Sequence, residues 1–155
     1  MEMVKTAFLL VTAGLCAWGA DFSLAIGNPI AVAVKAQGNI VKKDVGMAVR
    51  GEGCAEPAQI QVVGTAEGMV DGARRSVPLR ILPATTAGAF AVPHDWPLQG
   101  TWVLSLTGHC GNSTASAIVP MGPNGFLRES SKFFPRAATA AEVELALTTL
   151  AGGAK

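Results

Sequence analysis

The chain has 155 residues, half of them hydrophobic and only 15% charged, which is typical of one folded domain and excludes an extensively disordered chain. Its 12 basic and 11 acidic residues give a net charge of +1, and no run of Lys and Arg exceeds two residues. The chain therefore lacks the positive surface that binds a phosphate backbone, and we expect no nucleic-acid partner.

The first 20 residues have the pattern of an export signal. Lys5 precedes an apolar stretch over residues 6–15, and small residues follow. We therefore predict a signal peptide over residues 1–19 and a mature chain that begins near Ala20 or Asp21, secreted or in the periplasm.

Two other membrane attachments are less consistent with the sequence. Lipid attachment at Cys16 is the alternative to cleavage, and the bulky Leu15 before it disfavours that modification. No later stretch has the roughly 20 apolar residues of a membrane-spanning helix. We expect no transmembrane segment once the signal is removed.

Removal of the signal leaves two cysteines, Cys54 and Cys110. In an exported chain such a pair predicts one disulfide. The bridge would close a loop of about 57 residues and would restrict the unfolded chain by roughly 4 kcal/mol in the chain-entropy model. The alternatives are two free thiols, or a soft metal site that neighbouring His109 completes.

Short segments of alternating apolar and polar residues follow one another along the mature chain. They predict strands over residues 30–34 and 45–52, and a third from Ile60 to Val70 with a bulge at Gly64. Each strand would turn one side to a core and the other to solvent.

A hairpin is predicted next, because Asp71-Gly72 suits a tight turn whose central residues have positive φ. The returning strand carries alternating apolar residues from 77 to 81. Pro78 cannot donate to a ladder, so this strand should lie at a sheet edge.

The later strands are predicted over residues 89–92, 101–107 and 113–119, with a turn at 108–112. Trp102 shares a face with its apolar neighbours in the second of these, so we expect its indole to be buried. About seven short strands without a helix among them predict an all-β, immunoglobulin-like antiparallel sandwich over residues 20–121.

The pattern changes in the tail, residues 122–155. Thr139 and Glu142 have the spacing of a capping box, and a short helix is predicted over residues 140–150. The tail could pack on its own sandwich. The alternative is that its apolar residues form a surface for a partner protein; these residues are Phe126, Phe133, Phe134, Val143, Leu147 and Leu150.

The residues that could carry chemistry are few. His94 and His109 are the only histidines, both in predicted loops, and no catalytic, metal or cofactor motif surrounds them. We expect no enzyme, no metal and no cofactor, with Trp96 closing one end of the sandwich beside His94. Arg74-Arg75 is predicted to be a solvated pair, with anion docking as the alternative.

Two stretches of the chain resemble a known hairpin. Residues 87–92, Ala-Gly-Ala-Phe-Ala-Val, and 100–104, Gly-Thr-Trp-Val-Leu, are similar to the Gly-x-Tyr/Phe and Gly-x-Trp-x-Leu hairpin of small exported immunoglobulin-like bacterial domains, the YtkA-like and CopC-like domains. The resemblance implies a periplasmic or surface-facing sandwich that in some members handles copper. The copper pattern itself is absent, because Met47, Met69 and Met121 are scattered.

Two hypotheses follow from these patterns. The first is an exported, non-catalytic interaction or accessory module of the cell envelope with a protein partner. The alternative is a small periplasmic copper-binding protein that uses His94, His109, a Met thioether or the two thiols.

Overall fold

The computed structural model describes residues 21–28 and 45–153. The predicted signal peptide and the predicted strand over residues 30–34 lie outside the described residues. Within the described part of the chain, no helix is long and apolar enough to span a membrane.

The described residues form two antiparallel sheets. One has the strand order β1-β2-β6-β5, and the other has the order β10-β8-β7-β3-β4 with β9 paired to β8. The strands are β1 (Ser23–Gly27), β2 (Val45–Glu52), β3 (Gln61–Val70), β4 (Ala73–Pro78), β5 (Leu82–Pro83), β6 (Ala89–Pro93), β7 (Thr101–Cys110), β8 (Ser113–Gly122), β9 (Gly125–Phe126) and β10 (Lys132–Phe134). The predicted all-β antiparallel sandwich is confirmed.

The predicted helix is confirmed as α1, which spans Ala140–Gly153 and so runs three residues beyond the predicted end. Its first turn is held by a reciprocal capping box. The Thr139 amide donates to Glu142 Oε2 at 2.8 Å, and the Glu142 amide donates to Thr139 Oγ1 at 3.2 Å. These bonds satisfy two backbone donors that a helix start otherwise leaves without partners.

The main core lies between the two sheets. Trp102 is only 3% exposed, and Leu104 and Leu106 beside it are fully buried, so the predicted inward face of β7 is confirmed. The indole N–H of Trp102 donates to the Gln99 carbonyl at 2.8 Å. The one polar atom of this ring is thereby satisfied.

A second, smaller core lies on the outer face of the larger sheet. Val103 of β7 and Ile118 of β8 are fully buried there against Val143 and Leu147 of α1. The tail therefore packs on its own sandwich, as one of the two alternatives for it predicted.

The hairpin between β3 and β4 is also confirmed. Asp71 and Gly72 have φ values of 51° and 77°, which a two-residue turn with both central residues at positive φ requires. β4 ends the order of its sheet. The edge position that Pro78 predicts is therefore confirmed as well.

The predicted bulge at Gly64 is wrong. The register of β3 against β7 continues without a shift from Gln61 opposite His109 to Met69 opposite Thr101. A Cβ at position 64 would lie 2.6 Å from the Ser105 carbonyl oxygen. Glycine is needed here for the close approach of two strands rather than for an extra residue.

Two strand boundaries also differ from prediction. The strand predicted to return through residues 77–81 ends at Pro78, and the chain then crosses to the smaller sheet and forms β5. The turn predicted at 108–112 is shorter, because β7 continues to Cys110 and leaves only two residues between it and β8.

Candidate functional site

The predicted bridge between Cys54 and Cys110 is confirmed. The two Cα atoms lie 5.9 Å apart, within the range that a disulfide spans. Both sulfurs are used in the bridge, so the alternatives of free thiols and of a thiolate metal site are wrong. The bridge fastens the segment after β2 to the end of β7.

His94 stacks on Trp96 at one end of the sandwich. The ring centroids are 4.0 Å apart and the ring planes meet at 24°, while Trp96 itself is 5% exposed, as predicted for a residue that closes this end. Loss of water contact against the indole lowers the pKa of His94, despite the opposing charge of Asp95.

The Asp95 carboxylate is held by Arg80. The Arg80 amide donates to Asp95 Oδ2 at 3.0 Å, and its guanidinium donates to Oδ1 at 2.7 Å. Burial alone would raise the pKa of Asp95, but these bonds and the positive charge of Arg80 outweigh it, and the pKa is lowered. The carboxylate thus serves to fix the loop after β6.

The second histidine lies far from the first. His109 is in β7 and not in the predicted loop, and its Nδ1 is 3.2 Å from Thr114 Oγ1 on β8. His94 lines a groove together with Thr101, which is at the other end of β7. Over residues 21–28 and 45–153, no three His, Cys, Asp or Glu side chains are grouped to hold a metal ion.

An open groove of about 840 Å³ lies at the His94 end of the sandwich. Leu98, which is 91% exposed, stands beside it, and Met121, Leu127 and Leu150 contribute apolar lining. His94 is the only ionisable side chain among the described residues that line the groove. The lining of the groove is therefore mostly apolar.

The surface predicted from the tail is mostly unavailable to a partner. Val143 and Leu147 are buried in the second core, so this part of the prediction is wrong. Phe126, Phe134 and Leu150 are half-buried against the sandwich. Phe133, at 46% exposure, is the one large exposed side chain of the predicted set.

Two arginines fasten the tail further. Arg136 lies over the Phe134 ring at 4.8 Å and donates to Glu142 Oε2 at 3.0 Å. Arg128 lies over the Phe126 ring at 5.4 Å and donates to the Ile26 carbonyl at 3.2 Å. The second contact reaches β1, at the edge of the smaller sheet.

The free edge of β4 is the longest exposed edge in the described part of the chain. Five of its six residues are exposed, and Val77 is half-buried. The other edge strands are less open: β5 has two residues and β10 has three, while the Ile26 carbonyl of β1 already accepts a bond from Arg128.

The hydrogen-bond pattern between β3 and β4 shows which backbone groups of β4 point away from the sheet, towards its free edge. The Leu79 amide donates to the Gly64 carbonyl at 3.0 Å, and the register places Pro78 opposite Thr65. Because bonded and non-bonded pairs alternate in an antiparallel ladder, Pro78 and every second residue before it turn their backbone groups away from β3. These residues are Arg74, Ser76 and Pro78.

The two adjacent arginines of β4 differ in their partners. Arg74 donates to Glu67 Oε2 at 2.8 Å and through Nε to Glu144 Oε1 at 2.9 Å. The hydrogen bond to Glu144 is the largest influence on the pKa of Arg74, which is raised. Arg75 is exposed and makes no ion pair with any described residue.

No family model, no curated protein and no solved structure matches this chain. The predicted resemblance to YtkA-like and CopC-like domains therefore stays a prediction. The candidate site rests on the geometry of the β4 edge and on its charge.

Proposed function

We propose that the chain is an exported, non-catalytic, immunoglobulin-like interaction module of the cell envelope, which binds a protein partner through the β4 edge. The observation that carries the proposal is the exposure of this sheet edge. The edge is regular, exposed and six residues long, while the apolar residues of the tail are largely used within the chain.

Two further features support the proposal. A disulfide between Cys54 and Cys110 is typical of proteins in oxidising compartments, which agrees with export. His94 is stacked on Trp96 and Asp95 is bonded to Arg80, an arrangement that supports a fixed loop better than acid–base catalysis. No specific observation favours the copper-binding alternative.

Export is tested by sequencing the N-terminus of the protein isolated from its native host. The expected result is a chain that begins near Ala20 or Asp21 in the periplasmic or secreted fraction. An intact Met1 in that fraction would overturn the predicted cleavage.

The interaction is tested by photo-crosslinking in cells of the native host. A photoreactive residue in place of Ala73, an exposed residue of β4, should give one discrete crosslinked envelope protein. The same residue in place of Glu129, an exposed position in the tail, should give none. Equal products from both positions, or none from Ala73, would contradict the proposal, as would a hydrolase activity that His94→Ala abolishes.

A further inference from the structure

Resting on the proposed function, we infer that the β4 edge binds an extended acidic peptide, which adds to the larger sheet as a further strand and places a carboxylate beside Arg75. Strand addition of this kind draws affinity from main-chain hydrogen bonds and specificity from alternate side chains. Both components can be located on β4.

The outward backbone groups of β4 can form a short hydrogen-bond ladder with an added strand, and this ladder ends at Pro78. Arg74 and Ser76 each turn an N–H and a C=O away from β3, and no other described residue bonds to these groups. Pro78 turns outwards only a C=O, because it has no N–H. An added strand can therefore pair fully with two residues of β4, and the ladder ends at the third.

Side chains define the chemistry of the peptide. Arg74 is occupied by Glu67 and Glu144, whereas Arg75 is exposed and makes no ion pair with a described residue. A carboxylate on the added strand would form an ion pair with the Arg75 guanidinium. Val77 lies on the same face of β4 as Arg75 and is half-buried, so a β-branched residue next to it would extend the apolar contact.

A second copy of the chain fits this edge poorly. Symmetric pairing about Ser76 would place Arg74 of one copy opposite Pro78 of the other, where one hydrogen bond of the pair cannot form. The same arrangement would place the two Arg75 side chains, which carry like charges, as diagonal neighbours on one face of the joined sheet. The occupant that the edge favours is an acidic strand of another chain.

The test compares two substitutions at one position. Ser76→Pro removes an outward N–H without removing a bond to β3, and Ser76→Ala keeps that N–H. Both variants lose the same hydrogen bond from Ser76 Oγ to Glu67, which measures 3.0 Å. A difference in binding between the two therefore excludes the lost side-chain bond as its cause and reports the changed outward backbone of residue 76, its missing N–H together with the proline ring.

The probe is a displayed library of random seven-residue peptides, selected on the full chain. Selected peptides should be enriched in Asp or Glu with a β-branched residue two positions away, on the same face of the added strand. Ser76→Pro should weaken their binding by about tenfold or more, as the loss of a backbone hydrogen bond with an orphaned acceptor implies, and Ser76→Ala should leave it unchanged. Arg75→Glu should shift selection towards Lys and Arg.

Three outcomes would overturn the inference, and each is distinct from failure of the proposed function. Peptides that bind Ser76→Pro as well as the unchanged chain would exclude strand addition here, while an interaction role elsewhere on the surface would survive. A library that yields no binder would also exclude strand addition of an acidic peptide. The crosslinking experiment would still decide separately whether the chain binds a protein partner. Where Ser76→Pro does not fold, amide exchange of Arg74 and Ser76 must slow when a selected peptide is added, and unchanged rates would overturn the inference.

Discussion

Gly68 lies directly against the indole of Trp102. The two residues are cross-strand partners between β3 and β7, and a Cβ on Gly68 would lie 2.4 Å from the ring. The absence of a side chain on one strand thus makes the space that the largest core residue of the next strand occupies.

We expect Gly68→Ala to destabilise the protein by about 1 to 3 kcal/mol, the usual cost of forcing a methyl group into a packed core. Gly152→Ala is the control, since a Cβ there meets nothing within 4 Å. Chemical denaturation of both variants checks the prediction. An unchanged midpoint for Gly68→Ala would mean that the indole can move aside freely.

The disulfide should contribute a large part of the stability. Cys54 and Cys110 are 56 residues apart in sequence, and loss of a native disulfide from a small domain typically costs about 2 to 5 kcal/mol. We expect the double variant Cys54→Ser, Cys110→Ser to melt well below the unchanged chain. Reducing agent should lower the melting temperature of the unchanged chain but not that of the double variant; equal effects on both would contradict a structural bridge.

Helix α1 should be part of the folded core rather than a removable tail. Leu147 is 2% exposed, whereas Leu145, two residues earlier, is 64% exposed. Leu147→Ala should therefore cost about 2 to 5 kcal/mol, and Leu145→Ala should cost little. The free energies of unfolding from urea titrations provide the comparison. Similar values for the two variants would show that α1 does not hold the second core together.

The patterns within single strands were sufficient to predict the sandwich. Alternation placed Trp102 and its neighbours inwards, and Asp71-Gly72 with Pro78 located both a hairpin and a sheet edge. These features depend on neighbouring residues alone, because backbone geometry fixes which side chains share a face.

Packing between segments that are distant in sequence could not be predicted from the local patterns. The alternation of β7 predicts a solvent-facing Val103, yet α1 covers it, and no local pattern shows where a helix 40 residues later will dock. Gly64 illustrates the same limit, since a glycine in a strand fits a bulge as well as a close approach to Ser105. The burial of the tail and the exposure of the β4 edge depend on that same long-range packing.

The capping box at the start of α1 should make the stability of the helix depend on acid. Hydrogen bonds from the Arg136 side chain, and then from the Thr139 amide, lower the pKa of Glu142 from 4.5 to about 2. Because the folded-state pKa is depressed, the ionised carboxylate stabilises the helix fully above pH 4.5, and this contribution is lost as the pH falls towards 2. The melting temperature of the unchanged chain should exceed that of Glu142→Gln above pH 4.5, and the difference should shrink as the pH falls from 4.5 towards 2.

Glu129→Gln is the control, because it alters an exposed carboxylate without an ion pair to a described residue, and it should show no such convergence. A constant difference between the unchanged chain and Glu142→Gln at every pH would mean that the side chain acts by its shape and not by its charge.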